Sequence, residues 1–299
     1  MAPTNIDSAK LRSALVRALA KKKKIWRPTL LKYDEDQPRN AKGEFASSDS
    51  KFSGPVGSSG ARLPSMQQLN GMNNGQGPLG SNGGTWRKSE DGTQYLIKPT
   101  NSAAHAFNEI AAGAVYHVAG VPFPNTGVVH DAGKWYVVSE KIEGLQQQTP
   151  AQWRSNQSAQ SEAAKNFGVD ALLSHWDVHG LSADNTLINA AGTPVRIESG
   201  GAMAFRAMGG TRDSFNSDSQ WKEPQSMRTS AQGSLMYGNM TDKEAATSLE
   251  RAASINLKDV QKSWDASGVP RNMSSGWMKT LTARQAQIPP IVAKLNGSA

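Results

Sequence analysis

The segment from residue 85 to residue 140 constrains the fold most, because one strongly patterned helix stands between two pairs of strands. Residues 102–122 carry a single apolar stripe at helical spacing, whose members are Phe107, Ile110, Ala111, Ala114, Val115 and Val118. Short turns containing Asp and Gly split the flanking sequence into hairpins, with predicted strands at 85–88, 93–98, 126–130 and 134–140. Pro99 is expected to end the second strand. The order strand, strand, helix, strand, strand predicts a strand-rich α+β lobe.

The remainder of the chain is predicted to be mainly helical. The predicted elements are a helix at 160–175, strands at 186–188 and 195–197, and loops and helices from about residue 205 onwards. Thr241 with Glu244 three residues later is a capping box, which begins one of these helices. The folded part is therefore expected to comprise a strand-rich lobe at 77–145 and a helical lobe at 146–299.

The positive charge of the chain is concentrated at its N-terminus. The 299 residues contain 33 Lys or Arg and 25 Asp or Glu, a net charge of +8. Residues 1–32 hold nine of these basic residues and one acid, so the remaining 24 basic and 24 acidic residues balance. Leu11, Leu15 and Leu19 recur every four residues, which predicts a basic amphipathic helix. We expect this arm to bind an acidic protein surface, nucleic acid or anionic lipid.

Residues 33–76 are rich in Gly, Ser, Asn, Gln and Pro and have little apolar periodicity, which predicts a flexible linker. Within it, RNAKGEFASS at 39–48 resembles a short segment of many tailed-phage structural proteins. This resemblance implies a phage origin, other phage structural proteins or a host protein as partners, and a location in the virion or the host cytoplasm.

Composition excludes or disfavours several classes of function. The chain has no Cys, which excludes disulfides, thiolate metal sites and Cys nucleophiles. No stretch reaches the roughly 18 apolar residues that a membrane helix needs, and the basic N-terminus lacks the apolar core of a signal peptide. No Gly-x-Ser-x-Gly elbow follows a predicted strand, which disfavours a serine hydrolase.

Two histidines four residues apart, His175 and His179, have the spacing of a helical zinc site. In the metalloprotease motif, however, Glu directly follows the first His, and here that position is Trp176. Gly180 breaks the helix at the point where the second ligand would lie. We therefore expect His175 to cap or pack the end of a helix and His179 to lie in the loop after it.

Phosphoryl transfer is favoured because groups that it requires occur in a fixed order. A segment containing Gly80, Gly83 and Gly84 precedes the first strand, and the backbone N–H groups of such a loop can approach phosphates. Lys98 ends the second strand, where its charge can meet the α- and β-phosphates. Glu109 on the following helix is placed to hold that lysine, as in the lysine–glutamate pair of kinases. The alternative is a plain linker followed by two surface charges.

Acidic and amide side chains follow in the positions that base and metal groups need. Asp177 can orient an attacking hydroxyl, and Asn185 can bind Mg²⁺. Glu198 stands just beyond a predicted strand and before Ser-Gly-Gly, where an acid can bridge phosphates through the metal. Asp184, adjacent to Asn185, is a second candidate for the working acid and for a metal ligand.

Five segments extend this pattern into a family resemblance: LGSNGG, YLIKP, NEIAAGAVYHVAGVPFP, WDVHGLSADNTLI and VRIESGGAMAFRAMG. On these segments, residues 77–206 resemble the kinase-like branch that includes phosphoinositide kinases and HipA-type kinases. They are most similar to kinase-like proteins of bacteria and phages. The resemblance implies a two-lobed protein-kinase-like fold with ATP and Mg²⁺ as cofactors. The implied roles are phosphate contact for Lys98, positioning of that lysine for Glu109, base for Asp177, and Mg²⁺ ligands for Asn185 and Glu198.

Two departures from the family pattern bear on activity. The last segment usually reads Ile-Asp-x-Gly-Gly, whereas position 198 is Glu here. The longer side chain moves the carboxylate outwards by about one C–C bond, and misplacement by ~1 Å can lower a rate ~100-fold. Asn185 follows Asp177 by eight residues, which is a longer interval than that of protein kinases.

Three functions are therefore compared. The first is a phage-associated phosphotransferase that uses Mg-ATP on a protein or small-molecule hydroxyl. The second is a weakly active or inactive kinase-like virion protein that docks through its basic arm. The third is a nucleic-acid binder acting through the same arm, which would bind less tightly as salt concentration rises.

Overall fold

The computed structural model describes residues 52–77, 83–180 and 182–297. The basic arm at 1–32 and residues 33–51 of the predicted linker lie outside these ranges. Seven strands are present in the described ranges: β1 Asn73–Asn74, β2 Thr85–Lys88, β3 Gln94–Thr100, β4 Thr126–Asp131, β5 Lys134–Glu140, β6 Thr186–Ile188 and β7 Pro194–Arg196. The first five form one antiparallel sheet in the order β1-β2-β3-β5-β4, and β6 pairs with β7. The predicted hairpins are thus confirmed.

Ten helices occur in the same part of the chain: α1 Met66–Gly71, α2 Ala103–Val118, α3 Pro150–Ser155, α4 Gln157–Ala164, α5 Phe167–Leu172, α6 Glu223–Thr229, α7 Gly233–Tyr237, α8 Asp242–Ala253, α9 Leu257–Ala266 and α10 Arg271–Leu295. The predicted capping box at Thr241 is confirmed at the start of α8. The single helix predicted at 160–175 is wrong, because the chain breaks between α4 and α5 at Lys165 and Asn166. None of the helices that the structure describes is long and apolar enough to cross a membrane.

Strand β3 continues past Pro99, whereas the sequence predicted that this proline would end it. The pairing of β2 with β3 ends at Thr85 opposite Ile97. Pro99 itself is paired only with Tyr136 of β5. A proline in a strand loses its N–H, and this loss is tolerated where no strand pairs on that side. The strand therefore extends to Thr100.

Helix α2 lies between the sheet and the helical lobe. The middle of its stripe is fully buried, with Ile110, Ala114 and Val115 at 0% exposure, and Phe107 and Val118 towards its two ends are half-buried. The hydroxyl of Ser102 accepts from the His105 backbone N–H at 3.1 Å and caps the helix. On the other side, the indole N–H of Trp264 in α9 donates to the carbonyl of Ala111 at 2.9 Å. Contacts on both sides hold this helix, and with it any residue that projects from it.

The linker predicted at 33–76 is wrong for residues 52–76, which are part of the strand-rich lobe. Leu63 and Leu69 are fully buried and pack in one cluster with Tyr95, Ile97, Val129 and Val138. The backbone N–H of Ser58 also donates to the carbonyl of Thr126 at 2.7 Å. Apart from the short elements α1 and β1, the segment covers the sheet as irregular chain, so its few apolar residues show no extended periodicity. The strand-rich lobe therefore begins at or before residue 52, not at residue 77.

We predict that Leu69→Ala lowers the free energy of unfolding by about 3 kcal/mol, because it opens a cavity at a fully buried site. Met208→Ala is the control, since Met208 is 69% exposed and exposed substitutions change stability by about 0.5 kcal/mol or less. Urea unfolding of both variants measures the difference. Equal stabilities for the two variants would contradict the burial of this segment.

Candidate active site

Lys98 contacts two carboxylates at the boundary between the lobes. Its Nζ lies 2.9 Å from Oε1 of Glu109 and 3.1 Å from Oε1 of Glu198. Lys98 and Glu109 are buried, whereas the Glu198 side chain is 30% exposed. Burial alone would lower the Lys98 pKa, but the two carboxylates outweigh it and hold that pKa above its usual value. The lysine is therefore charged, and the structure brings together the predicted strand lysine, helix glutamate and late acid.

Hydrogen bonds tie α2 to the segment that follows Glu198. The Ser199 hydroxyl donates to the carbonyl of Glu109 at 2.9 Å. The Asn108 amide donates to the carbonyl of Ala202 at 2.9 Å, and its oxygen accepts from the backbone N–H of Ala204 at 3.1 Å. Three hydrogen bonds thus join the helix to the loop and help to hold the two carboxylates around the lysine.

Asp177 and Asn185 meet despite the eight residues between them. The Asn185 amide donates to Oδ2 of Asp177 at 3.0 Å and to its carbonyl at 2.8 Å, which closes the loop. Burial, and next the charge of Glu198, raise the pKa of Asp177 to about 6, although the bond from Asn185 lowers it. A Cβ on Gly201 would lie 3.1 Å from Cβ of Asp177, so the glycine allows this close approach.

Oxygen ligands suited to Mg²⁺ are present without a complete metal cage. Among the residues that the structure describes, no three His, Asp or Glu side chains gather closely enough to hold a metal. Asp184 is exposed, and its charge contributes to the raised pKa of Asp177. Mg²⁺ is usually held by one or two carboxylates together with substrate phosphates. Asn185 and Glu198, with Asp184 as the further predicted ligand, are the residues whose carbonyl and carboxylate oxygens could hold such a shared ion.

Gly83 and Gly84 of the Gly-rich segment are described, and they stand directly before β2. Strands β1 and β2 on either side of the segment pair with Asn74 opposite Arg87. Gly83 adopts a φ of +69°, which favours glycine. A Cβ on Gly84 would lie 2.8 Å from Cδ1 of Leu96, so the backbone approaches β3 closely. Gly80, the third predicted phosphate-loop residue, lies outside the described residues.

His175 and His179 are buried packing residues. The Tyr116 hydroxyl donates to Asp170 at 2.7 Å and lies 2.6 Å from Nδ1 of His175. His179 packs edge-on against Trp153, with ring centroids 4.9 Å apart. Burial lowers the pKa of each histidine to about 4, so both rings are neutral at pH 7. The predicted packing of His175 at a helix end is confirmed by its place just after α5.

A buried ionic network lies near the Asp177 loop, and the sequence did not predict it. Asp170 and Arg196 are both fully buried and form an ion pair, Nη2 to Oδ2, at 2.5 Å. The Tyr237 hydroxyl also donates to Asp170. Arg212 is a second arginine that spacing did not reveal, and it donates to three backbone carbonyls near the site. These residues come from distant parts of the sequence, so no local pattern marks them.

Comparisons with known proteins support the fold. No family model matches the chain, and no curated protein matches it. The structure of the Helicobacter pylori proinflammatory kinase CtkA is similar, with 11% identity, a TM-score of 0.53, and coverage of 76% of this chain and 96% of that chain. An aminoglycoside phosphotransferase from Alicyclobacillus acidocaldarius has 11% identity, a TM-score of 0.34, and coverage of 79% and 97%, which is too distant to support a conclusion. The chain therefore has a two-lobed, kinase-like α+β fold.

Proposed function

We propose that this protein is a phosphotransferase that uses Mg-ATP and acts on a hydroxyl of a protein or small molecule. The observation that carries the proposal is Lys98, charged, buried and held by Glu109 and Glu198 within a kinase-like fold. A buried ion group is costly to desolvate, and strongly perturbed ionisable groups cluster at functional sites. The adjacent pair of Asp177 and Asn185 supplies the base and amide that such a reaction needs.

The residues around Lys98 and Asp177 fit Mg-ATP by their donor types. The backbone at Gly83 and Gly84 can approach phosphates, Lys98 can neutralise them, and Asn185 and Glu198 offer oxygen ligands for Mg²⁺. Bound Mg-ATP would supply an electrophilic phosphoryl group whose negative charge the metal offsets. This fit, and not the fold alone, supports the choice of cofactor.

The roles of the protein's own groups follow from their contacts. Glu109 fixes the position of Lys98, and Lys98 offsets phosphate charge. Asn185 fixes the carboxylate of Asp177. With a pKa of about 6, Asp177 is mainly ionised at pH 7 and can accept the proton of an acceptor hydroxyl.

Transfer of labelled terminal phosphate tests the proposal. Wild-type protein with Mg-ATP and a panel of protein and small-molecule hydroxyls is expected to transfer label, whereas Lys98→Ala and Asp177→Ala are not. Lys262→Ala is a matched control, because the Lys262 side chain is 79% exposed and forms its ion pair with Asp259 on the same helix. The same background signal from all four proteins would contradict a phosphotransferase.

A second candidate is a kinase-like virion protein with little or no turnover. The specific observation is that Glu198 stands where the family has Asp. One of its carboxylate oxygens accepts a hydrogen bond from Lys98. The RNAKGEFASS segment and the basic arm motivate a phage particle as its location, with acidic phage proteins or nucleic acid as arm partners. Purified phage particles would then contain this protein, and a variant that lacks residues 1–32 would be absent from the particles. Free protein with ATP turnover and no particle association would contradict this candidate.

A further inference from the structure

We infer that Arg212 is a positioning residue that holds the Asp177 loop and the segment after Glu198 in one arrangement, an inference that rests on the proposed function of that site. Its guanidinium donates to the Ser174 carbonyl at 2.6 Å, three residues before Asp177. It also donates at 3.0 Å to the carbonyls of Met203 and Gly201. One side chain therefore joins the two loops that carry the base and the late acid.

The anchor point on the Asp177 loop has a strained backbone. Ser174 is fully buried and adopts a φ of +50°, a left-handed conformation that is unusual for a residue with a Cβ. Such a conformation persists only where surrounding contacts fix it. Here the Ser174 hydroxyl donates to Glu223 of α6 and accepts from Arg284 of α10 at 2.6 Å. With Arg212 on its carbonyl, Ser174 is fixed by three charged residues from three later segments.

Further contacts show how movement of the two loops held by Arg212 would change the position of Asp177. The backbone N–H of Met203 donates to the carbonyl of Leu173 at 2.6 Å, beside Ser174. Gly201 is in close approach to Asp177, with 3.1 Å between the Asp177 Cβ and a Cβ built on the glycine. Loss of the arginine would therefore remove one hydrogen bond from Gly201 and one from Ser174, on both sides of Asp177. Arg212 acts through these carbonyls, so it is not itself a catalytic residue.

Local hydrogen exchange tests the inference without any need for turnover. The full-length protein, Arg212→Met and a matched control, Arg251→Met, are compared without nucleotide. Arg251 is also half-buried and donates to a backbone carbonyl, that of Ala119, away from the Asp177 loop. We expect Arg212→Met to speed exchange in residues 174–180 and 198–204 and to leave other segments unchanged. Arg251→Met should leave those two segments unchanged.

Kinetics supply the second readout. If wild type transfers phosphate, Arg212→Met should lower kcat about 100-fold, as expected for a misplacement of ~1 Å, and leave the nucleotide KM unchanged. Arg212→Lys should recover only part of the rate, because one ammonium cannot span three carbonyls.

The outcomes separate the two proposals. Unchanged exchange in both segments, or an equal rise throughout the chain, would overturn the positioning role. If Arg212→Met fails to fold, Arg212→Lys is read by the same criteria. A wild-type protein that transfers no phosphate would sink the proposed function, while the exchange data would still decide whether Arg212 holds the loops.

Discussion

Asp177→Asn is expected to lower phosphoryl transfer about 1,000-fold and to leave nucleotide affinity nearly unchanged. General-base groups contribute roughly 10²–10⁴ to a rate, and an amide cannot accept the acceptor's proton. The amide of Asn185 donates to Oδ2 of Asp177, so the carboxylate is held in place before any acceptor arrives. Initial rates with labelled terminal phosphate and nucleotide titrations of both proteins measure the two effects.

The pH dependence gives the same test a second arm. Burial and Glu198 raise the pKa of Asp177 to about 6, and only the ionised carboxylate acts as a base. Transfer by wild type should therefore fall as pH drops through about 6. Asp213→Asn changes an exposed acid on a later loop. This variant should transfer phosphate at the wild-type rate and show the same fall in rate at low pH. If Asp184→Asn abolishes transfer and Asp177→Asn does not, Asp184 is the working acid and our assignment is wrong.

Lys98→Met is expected to lower the free energy of unfolding by about 3 kcal/mol, because removal of one partner leaves a buried charge uncompensated. The charge left behind is mainly that of Glu109, which is 1% exposed. The variant should also lose measurable nucleotide binding. Denaturant unfolding at pH 7 measures the stability. Lys262→Met, which breaks an exposed pair with Asp259, should change stability by less than about 1 kcal/mol.

A double variant separates charge from function at this pair. Lys98→Met with Glu109→Gln removes both buried charges, so it should recover part of the stability lost in Lys98→Met alone. Nucleotide binding should stay lost, because no cation remains to meet the phosphates. If the two single losses simply add in the double variant, the buried contact between Lys98 and Glu109 does not exist as described.

Local patterns made the strand-rich lobe predictable. The stripe on α2 and the Asp- and Gly-containing turns depend on neighbouring residues, and these elements lie where the sequence placed them. The pairing of Lys98 with Glu109 was predictable for the same reason, since one strand end and one helix turn fix the positions of both side chains. The contact of Glu198 with that lysine was not predicted, because the two residues are 100 positions apart and no local pattern joins them.

Long-range contacts made the rest unpredictable. Apart from the short elements α1 and β1, residues 52–76 cover the sheet as irregular chain, so burial of Leu63 and Leu69 left no extended periodic signal. The hydrogen-bond partners of Ser174 are distant in sequence: Arg212 is 38 residues away, Glu223 is 49 and Arg284 is 110. Spacing within a short window carries no information about such contacts. The break between α4 and α5 likewise depends on Asn166, whose side chain accepts from Arg251 of α8.

The central claim is that Mg-ATP binds between Lys98 and the Asp177 loop. Calorimetric titration of ATP with and without Mg²⁺ tests this claim most directly. We predict that wild type binds ATP, that Mg²⁺ strengthens the binding, and that Glu198→Ala removes the effect of Mg²⁺. Lys98→Met should show no measurable binding under either condition. No binding by wild type, or one affinity shared by all proteins with and without Mg²⁺, would contradict the account.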